Sequence, residues 1–323
     1  MAENTITGLV PDIYEALDVV SRELTGLIPA VTISASGDRA ALNQSIVVDV
    51  EPVGNVSNIT PAMVVPDPTG QTSGTTSIVI TKSRAAEFGF NGEDQRGLNT
   101  GPGYLSVRAG KIAQAIRALA NEVETDLAAL QATFSRAYGT AATTPFGTSN
   151  DYTDASNALK ILKDNGAPVS QNQLVINTSA GANFLGKQSA VNSAGTDSML
   201  RQGVLLDLAG MPVRESAQIK TQTAGAMASA TSTSAAFTVG QTAIPLATAG
   251  TGVVAAGDVI TFANDANKYV VTSVVFAGAN PASGDVITLA APGLRVAQGV
   301  ATRAITVIAT SARNMAFNRS ALV

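Results

Sequence analysis

Between Tyr104 and Tyr138, large apolar residues recur at steps of three and four. Ile112, Ile116, Leu119, Val123, Leu127, Leu130 and Phe134 share one side of an α-helix. The spacing predicts one long helix over 104–138. Between the apolar positions sit Lys111, Gln114, Arg117, Asn121, Glu124, Asp126 and Gln131, with alanine, the best helix former, as the filler. Gly103 precedes the run and Gly139 stops it. At 1.5 Å per residue such a helix is roughly 50 Å long, well beyond the usual three or four turns. It reads as the spine of an elongated, plate-like subunit, with an ordinary long core helix as the alternative.

Shorter patterns flank it. Pro11 suits the first turn of a helix running to about Leu24, with the stripe Ile13, Leu17, Val20 and Leu24 and with Asp12, Glu15 and Asp18 near its start. Gly26 and Pro29 end it. This amphipathic arm packs on its own core or reaches a neighbouring subunit; the pattern favours neither. From Ser45 to Pro52, Ile46, Val48 and Val50 alternate with Val47, Asp49 and Glu51, and a second β-rich run follows at Thr75 to Thr81, beyond Pro61, Pro66, Pro68 and Gly70. These predict a long two-stranded flap, which needs a surface to lie on because an isolated hairpin is marginal in water.

After the spine, 141–150 is a Thr/Pro/Gly-rich connector. A helix follows, capped by Thr153 or Asp154 and ended by Asn165 and Gly166 before Pro168. A strand at Leu174 to Ile176, a Ser179-capped helix through Leu185 and a strand around Met211 to Glu215 complete an α+β lobe. Thr221 to Ser234 is almost wholly Ala, Thr, Ser and Gly and reads as a linker or a domain edge. Strands are then predicted at Ala235 to Val239, Val259 to Ala263, Tyr269 to Phe276 and Val286 to Ala290. The run Gly257-Asp258-Val259-Ile260-Thr261 returns as Gly284-Asp285-Val286-Ile287-Thr288, so this region reads as a small β-barrel or sandwich. Arg303 to Thr310 leads back, which makes the β region an insertion into the lobe, and Asn314 to Val323 is strand-like where the chain stops, as if the natural product were longer or another chain completed the edge.

Composition narrows the function. The 323 residues are 45% hydrophobic, enough for one large or two ordinary cores, but only 14% charged and 4% aromatic. That profile suits a subunit covered by copies of itself, and is shared by adhesin-like β proteins. The net charge of -4 and the lack of any basic run argue against a dedicated nucleic-acid binder. With no cysteine and no histidine, thiolate metal sites, disulfides and the commonest general base are all excluded. No long apolar run or basic N-terminal start points to a membrane or to export, so the chain reads as made in the cytosol.

Charge also marks the flap. Between Arg39 and Lys82 the charged residues are Asp49, Glu51 and Asp67, so an acidic flap is expected to dock on a basic patch of another copy, for which Arg84, Arg108, Arg117 and Arg136 are the candidates. No lysine precedes Lys82, so the flap carries no amine for an isopeptide cross-link. Of enzyme-like signals, Gly181 to Lys187 has the G-x-x-x-x-G-K spacing of a phosphate-cradling loop. Gln188 stands where a magnesium-binding hydroxyl belongs, and Phe184 and Leu185 sit at helical spacing, which favours a capped helix. Glu122 with Glu124, and Asp49 with Glu51, read as solvated carboxylates; Asp258, Asp265 and Asp285 read as turn residues. No catalytic residue, metal ligand or cofactor site is expected.

The collinear set of parts resembles the major capsid (coat) protein of tailed bacteriophages, in the podovirus-type branch with an inserted β-domain. The stretches that carry it are Ile6 to Asp18, Leu119 to Glu124, Gly203 to Ser216 with Ala209-Gly210-Met211-Pro212-Val213-Arg214-Glu215-Ser216, and Asn314 to Arg319. The resemblance implies the α+β tailed-phage and herpesvirus capsid fold: an N-terminal arm (1–40), an extended β-hairpin loop (41–83), a peripheral domain with the spine helix (84–140 plus 308–323), an axial domain (141–222 plus about 303–307) and a β-barrel-like insertion domain (223–302). It implies pentamers and hexamers forming an icosahedral shell around double-stranded DNA, assembled in the host cytoplasm with a scaffolding protein, a portal and in some cases a decoration protein, without membrane or cofactor. The short, Ala/Gly-rich insertion departs from that family's pattern. The other readings are a surface β-rich adhesin or tail-fibre component, and, from Gly181 to Lys187 alone, a nucleotide-binding protein.

Overall fold

The structure, a computed structural model, describes residues 24–33, 42–50, 74–87, 89, 92, 104–148, 151–187, 207–276 and 281–322. The expected arm helix lies outside them apart from Leu24, as do Glu51 and Asp67. The chain divides into two compact units, residues 34–89 and the remainder.

In the smaller unit, β1 (Ser45–Val50) and β2 (Gly74–Val79) form an antiparallel ribbon in register from Ser45↔Val79 to Val50↔Gly74. Backbone bonds between Asn43 and Ile80 (2.9 Å) and between Ile80 and Gln44 (3.1 Å) continue it by a step. β-branched residues and a strict two-strand register account for the ribbon, but Val47 and Val79 remain about half exposed or more.

The larger unit starts from α1 (Tyr104–Ala129), followed by a 3-10 turn at Leu130–Thr133. The single helix predicted over 104–138 therefore ends early, at roughly 39 Å. Phe134 is extended (φ -71°, ψ 157°) and β3 (Arg136–Ala137) pairs with a barrel strand. Sheet pairing and an edge-on contact of Phe134 with Phe317 (6.0 Å) outweigh local helix propensity. The buried stripe also differs from the predicted one: Ile112, Ala113, Glu124 and Ala128 are buried, while Val123 is 49% exposed.

A three-stranded sheet follows. β4 (Asn172–Ile176) is buried throughout and lies between β14 (Met315–Asn318), antiparallel, and β5 (Val213–Glu215), parallel. Alternation sends Val175, Met315 and Phe317 to one face, against Leu27, Ala30 and Ala128. Leu174 and Ile176 face the other way, against α2 (Thr153–Asp164) and α3 (Thr178–Lys187) through Ala155, Ala180 and Phe184. α2 ends as expected at Asn165 and Gly166 (φ +78°), the left-handed glycine cap. Its N-terminus is capped by neither predicted residue: Asp151 accepts the Thr153 N–H (2.7 Å) and Asp154 accepts the Phe146 N–H (2.8 Å). α3 is capped by Asn177, which accepts the Ala180 N–H (2.9 Å), in place of Ser179.

Between β5 and β14 the chain leaves and returns through a two-stranded neck, β6 (Thr221–Gln222) against β13 (Ser311–Ala312). Beyond it lie β7 (Ala230–Ser232), β8 (Ala243–Thr248), β9 (Val259–Phe262), β10 (Lys268–Val275), β11 (Val286–Leu289) and β12 (Ala304–Val307). Their order β11-β8-β7-β12-β9-β10 closes on itself through the β10–β11 pair, so the sheet is a barrel with β3 added on β10. Its interior holds Ile244, Leu246, Ile260, Tyr269, Val271, Ile287, Leu289 and Ile305. Two expectations need correcting. Residues 221–234, read as a linker or a domain edge, are an edge and not a linker: they hold β6, in the neck, and β7, a barrel strand in which Ala230 is fully buried. The strand expected at Ala235 to Val239 is reduced to a bridge between Phe237 and Gln298. The last strand stops at Asn318, whose side chain caps a 3-10 turn at Arg319–Ala321.

Candidate functional site

Glu124 is a buried carboxylate of α1. Only 1% exposed, it accepts N–H bonds from Gly26 (2.7 Å), Leu27 (2.7 Å) and Ile28 (3.0 Å). These are donors at the start of the 3-10 turn Ile28–Ala30, which has no cap of its own. Leu27 and Ala30, fully buried beside Val175 and Met315, anchor the same turn. A Cβ on Gly26 would collide with the Glu215 carbonyl, so the close approach needs glycine. The reading of Glu124 as solvated is therefore corrected. The carboxylate ties the segment following the N-terminal arm to the helix and sheet.

The assembly candidates separate by position. Asp49 stands opposite Thr75 in the ribbon, and Arg84 is exposed on the extended segment after β2. Arg108 lies in the first turns of α1, and Arg117 is half-buried near its middle. Arg136 is drawn inward instead: its side chain is 3% exposed and pairs with Asp164 at 3.2 Å, with Asn267 at 3.5 Å. Asp164 in turn meets Arg295 at 3.5 Å. This chain of charges joins β3, α2 and the barrel, so the Arg136 guanidinium serves its own subunit.

Gly181 to Lys187 lies inside α3, with the Gly181 N–H donated to the Asn177 carbonyl (2.9 Å) in helical fashion. Its amides are thus consumed by the helix and cradle no phosphate, which removes the basis of the nucleotide-binding reading. Lys187 donates to the Asp151 carbonyl and lies over the rings of Phe146 and Tyr152 (5.5 and 5.3 Å). Glu215, at the end of β5, has its carboxylate against the bare helix face at Gly181, and burial raises its pKa above the usual carboxylate value.

The repeated Gly-Asp-Val-Ile-Thr motif is a repeated turn. Asp258 accepts the Ala255 N–H (2.7 Å) and Asp285 the Ala282 N–H (2.6 Å); Gly257 and Gly284 have φ of +88° and +93°. Asp258 also accepts from Gly225 (3.1 Å). Asp265 is surrounded by donors from Asn267, Tyr269 and Gln298, leaving it little capacity for a cation. Among the described residues, no group of three His, Cys, Asp or Glu is placed to hold a metal, and no helix is long and apolar enough to cross a membrane.

No protein-family model and no curated protein matches the chain. Solved structures do. A structure from Mycobacterium phage Che8 aligns over 91% of this chain and 91% of its own, with 14% identity and a TM-score of 0.45. The capsid structure of the cyanophage P-SCSP1u covers 88% and 86%, at 13% identity and a TM-score of 0.37. The asymmetric unit of the bacteriophage PhiM1 mature capsid covers 85% and 81%, at 13% identity and a TM-score of 0.39. These three solved structures come from bacteriophages, and two of them are named as capsids.

Proposed function

We propose that this chain is the major capsid protein of a tailed bacteriophage, a structural subunit that self-assembles into an icosahedral shell around double-stranded DNA. On this reading 1–40 is the arm, 41–83 the extended loop, 84–140 the peripheral domain, 141–222 the axial domain, whose sheet β14 (Met315–Asn318) completes, and 223–302 the insertion domain, to which the pairing of β12 (Ala304–Val307) with β7 and β9 adds that strand, in place of the bounds 303–307 and 308–323 expected from the sequence. Pentamers and hexamers form in the host cytoplasm with a scaffolding protein and a portal. The subunit's work is mechanical, not catalytic.

The observation that carries the reading is the β1–β2 ribbon, a unit of its own with Val47 61% and Val79 48% exposed. An isolated two-stranded ribbon buries too little apolar surface to be stable alone. A neighbouring copy supplies that layer, and closed symmetry repeats the contact around the shell. The long α1 and the barrel between β5 and β14 fit the collinear stretches that resemble this family. Asp49, Glu51 and Asp67 on the flap, against Arg84, Arg108 and Arg117 on the next copy, give the contact its charge pattern.

Negative-stain microscopy of the purified chain tests this directly. Shells or ring-shaped capsomers are expected, whereas fibres or small uniform particles overturn the reading. With Asp49→Ala plus Glu51→Ala, shell yield is expected to fall; an unchanged yield removes the acidic flap from the contact.

A further inference from the structure

Arg319 ties two surface segments together. Its N–H is donated to the Gln171 carbonyl (3.0 Å), its carbonyl accepts the Thr32 hydroxyl (2.9 Å), and its Nε–H is donated to the Val31 carbonyl (3.2 Å). Each segment so tied carries an apolar side chain in water. Ile33, next after Thr32, is 69% exposed, and Val169, in the turn between α2 and β4, is 79% exposed. Arg319 is itself exposed, and among the described residues no carboxylate pairs with it.

The Val169 turn is firmly held. Asn318, which is buried, donates to the Ser170 carbonyl (2.7 Å) and to Oδ1 of Asn172 (3.1 Å), and the buried Asn172 donates to the Val169 carbonyl (3.3 Å). Gln171 sits at φ +65°, a conformation that costs a non-glycine residue free energy. Two buried amides and one strained residue thus fix a turn whose outer end packs on nothing in its own subunit. A scattered exposed valine needs no explanation, but two aliphatic side chains beside one arginine, on a fixed frame, have the makeup of an interface centre.

The β1–β2 ribbon is complementary to this patch. Its register pairs Ser45 with Val79, Val47 with Ser77 and Asp49 with Thr75, so strand alternation gives positions 47, 49 and 79 one face. That face combines two exposed valines with an acid; the patch combines two exposed aliphatic side chains with a base. We propose that Ile33, Arg319 and Val169 form the seat on which the ribbon of a second copy lies, with Val47 and Val79 against Ile33 and Val169 and with Asp49 against the Arg319 guanidinium. Burial of the four aliphatic side chains drives the contact, and the ion pair fixes its register. The seat rests on the reading of the chain as a shell subunit and supplies the receiving surface for its flap.

The chain has no cysteine, so thiol cross-linking tests the seat cleanly. Val47→Cys and Val169→Cys, both at exposed positions, are assembled together as a mixture of the two single variants and treated with a short bismaleimide. A cross-linked dimer on a denaturing gel is expected from the mixture and not from either variant alone. Shells or capsomers without that dimer overturn the seat and leave the capsid reading standing. A cross-link found only within single chains of the double variant does the same, because the ribbon then lies on its own copy. No shells or capsomers from the unaltered chain overturns both readings. Independently, Arg319→Glu is expected to lower shell yield about tenfold, with recovery on adding Asp49→Lys; an unchanged yield also overturns the seat. Far-ultraviolet circular dichroism checks folding, and should Arg319→Glu fail to fold, the cross-link decides.

Discussion

The carboxylate of Glu124 accepts the backbone N–H of Gly26 at 2.7 Å, across 98 positions of sequence. With the bonds from Leu27 and Ile28, one side chain serves three donors that the short turn itself leaves open. Hydrogen bonds to a charged group are each worth about 1.5–3 kcal/mol. Glu124→Ala is therefore expected to cost about 4 kcal/mol in urea unfolding, and Glu124→Gln about half as much. A loss under about 1 kcal/mol for Glu124→Ala would show that water satisfies these donors.

Arg136→Met removes the buried partner of Asp164. Breaking a fully buried pair costs about 3–5 kcal/mol, but Asp164 is 25% exposed and keeps Arg295, so about 2 kcal/mol is expected. The same substitution loosens the barrel against α2. Faster amide exchange in β3 and at Lys268 to Val270 is the measurement, and unchanged exchange there would contradict the assignment.

Asp258→Ala frees the N–H groups of Ala255 and Gly225, one in the turn before β9 and one on the chain entering the barrel. The expected cost is about 2–3 kcal/mol. Hydrogen exchange is expected to quicken at both amides together, even though they are far apart in sequence.

Glu215 gives a pH-dependent prediction. Its pKa is raised in the folded protein, so the folded state holds that proton more tightly than the unfolded chain. The associated stability is present below the ordinary value of 4.5 and is lost as pH rises through the folded value. Glu215→Gln should therefore raise the melting temperature at pH 7 and gain little near pH 4. An equal gain at both would assign the effect to something other than ionisation.

Tyr269 works at the alkaline end. Burial and the Asp265 carboxylate push its pKa up to about 12 from 10.0. Stability is kept below pH 10 and falls as pH climbs towards 12, where the unfolded chain ionises first. Tyr269→Phe is expected to flatten that decline in a melting series from pH 9 to pH 12, at the loss of its bonds to Asp265 and to the Arg295 amide.

Local patterns were readable in advance because their causes lie within a few residues. α1 follows from apolar spacing and alanine, the end of α2 from Asn165 and Gly166, and the two barrel turns from a repeated Gly-Asp motif. The hairpin strands came from alternation, and the helical state of Gly181 to Lys187 from Phe184 and Leu185. In each case the residue types themselves narrow the backbone or its polar partners.

Packing decided the rest. Glu124 looked solvated and Val123 looked buried because a period cannot say which side the 26–31 turn will occupy. Arg136 looked like a surface cation until β3 paired with β10 and brought it to Asp164. β7 escaped notice since alanine and serine give no apolar alternation, and only barrel closure gives those small side chains something to pack on. Spacing along a chain reports what neighbours in sequence do to one another; a carboxylate's donors or a cation's counter-charge, lying tens to hundreds of residues away, exist only once the chain has folded.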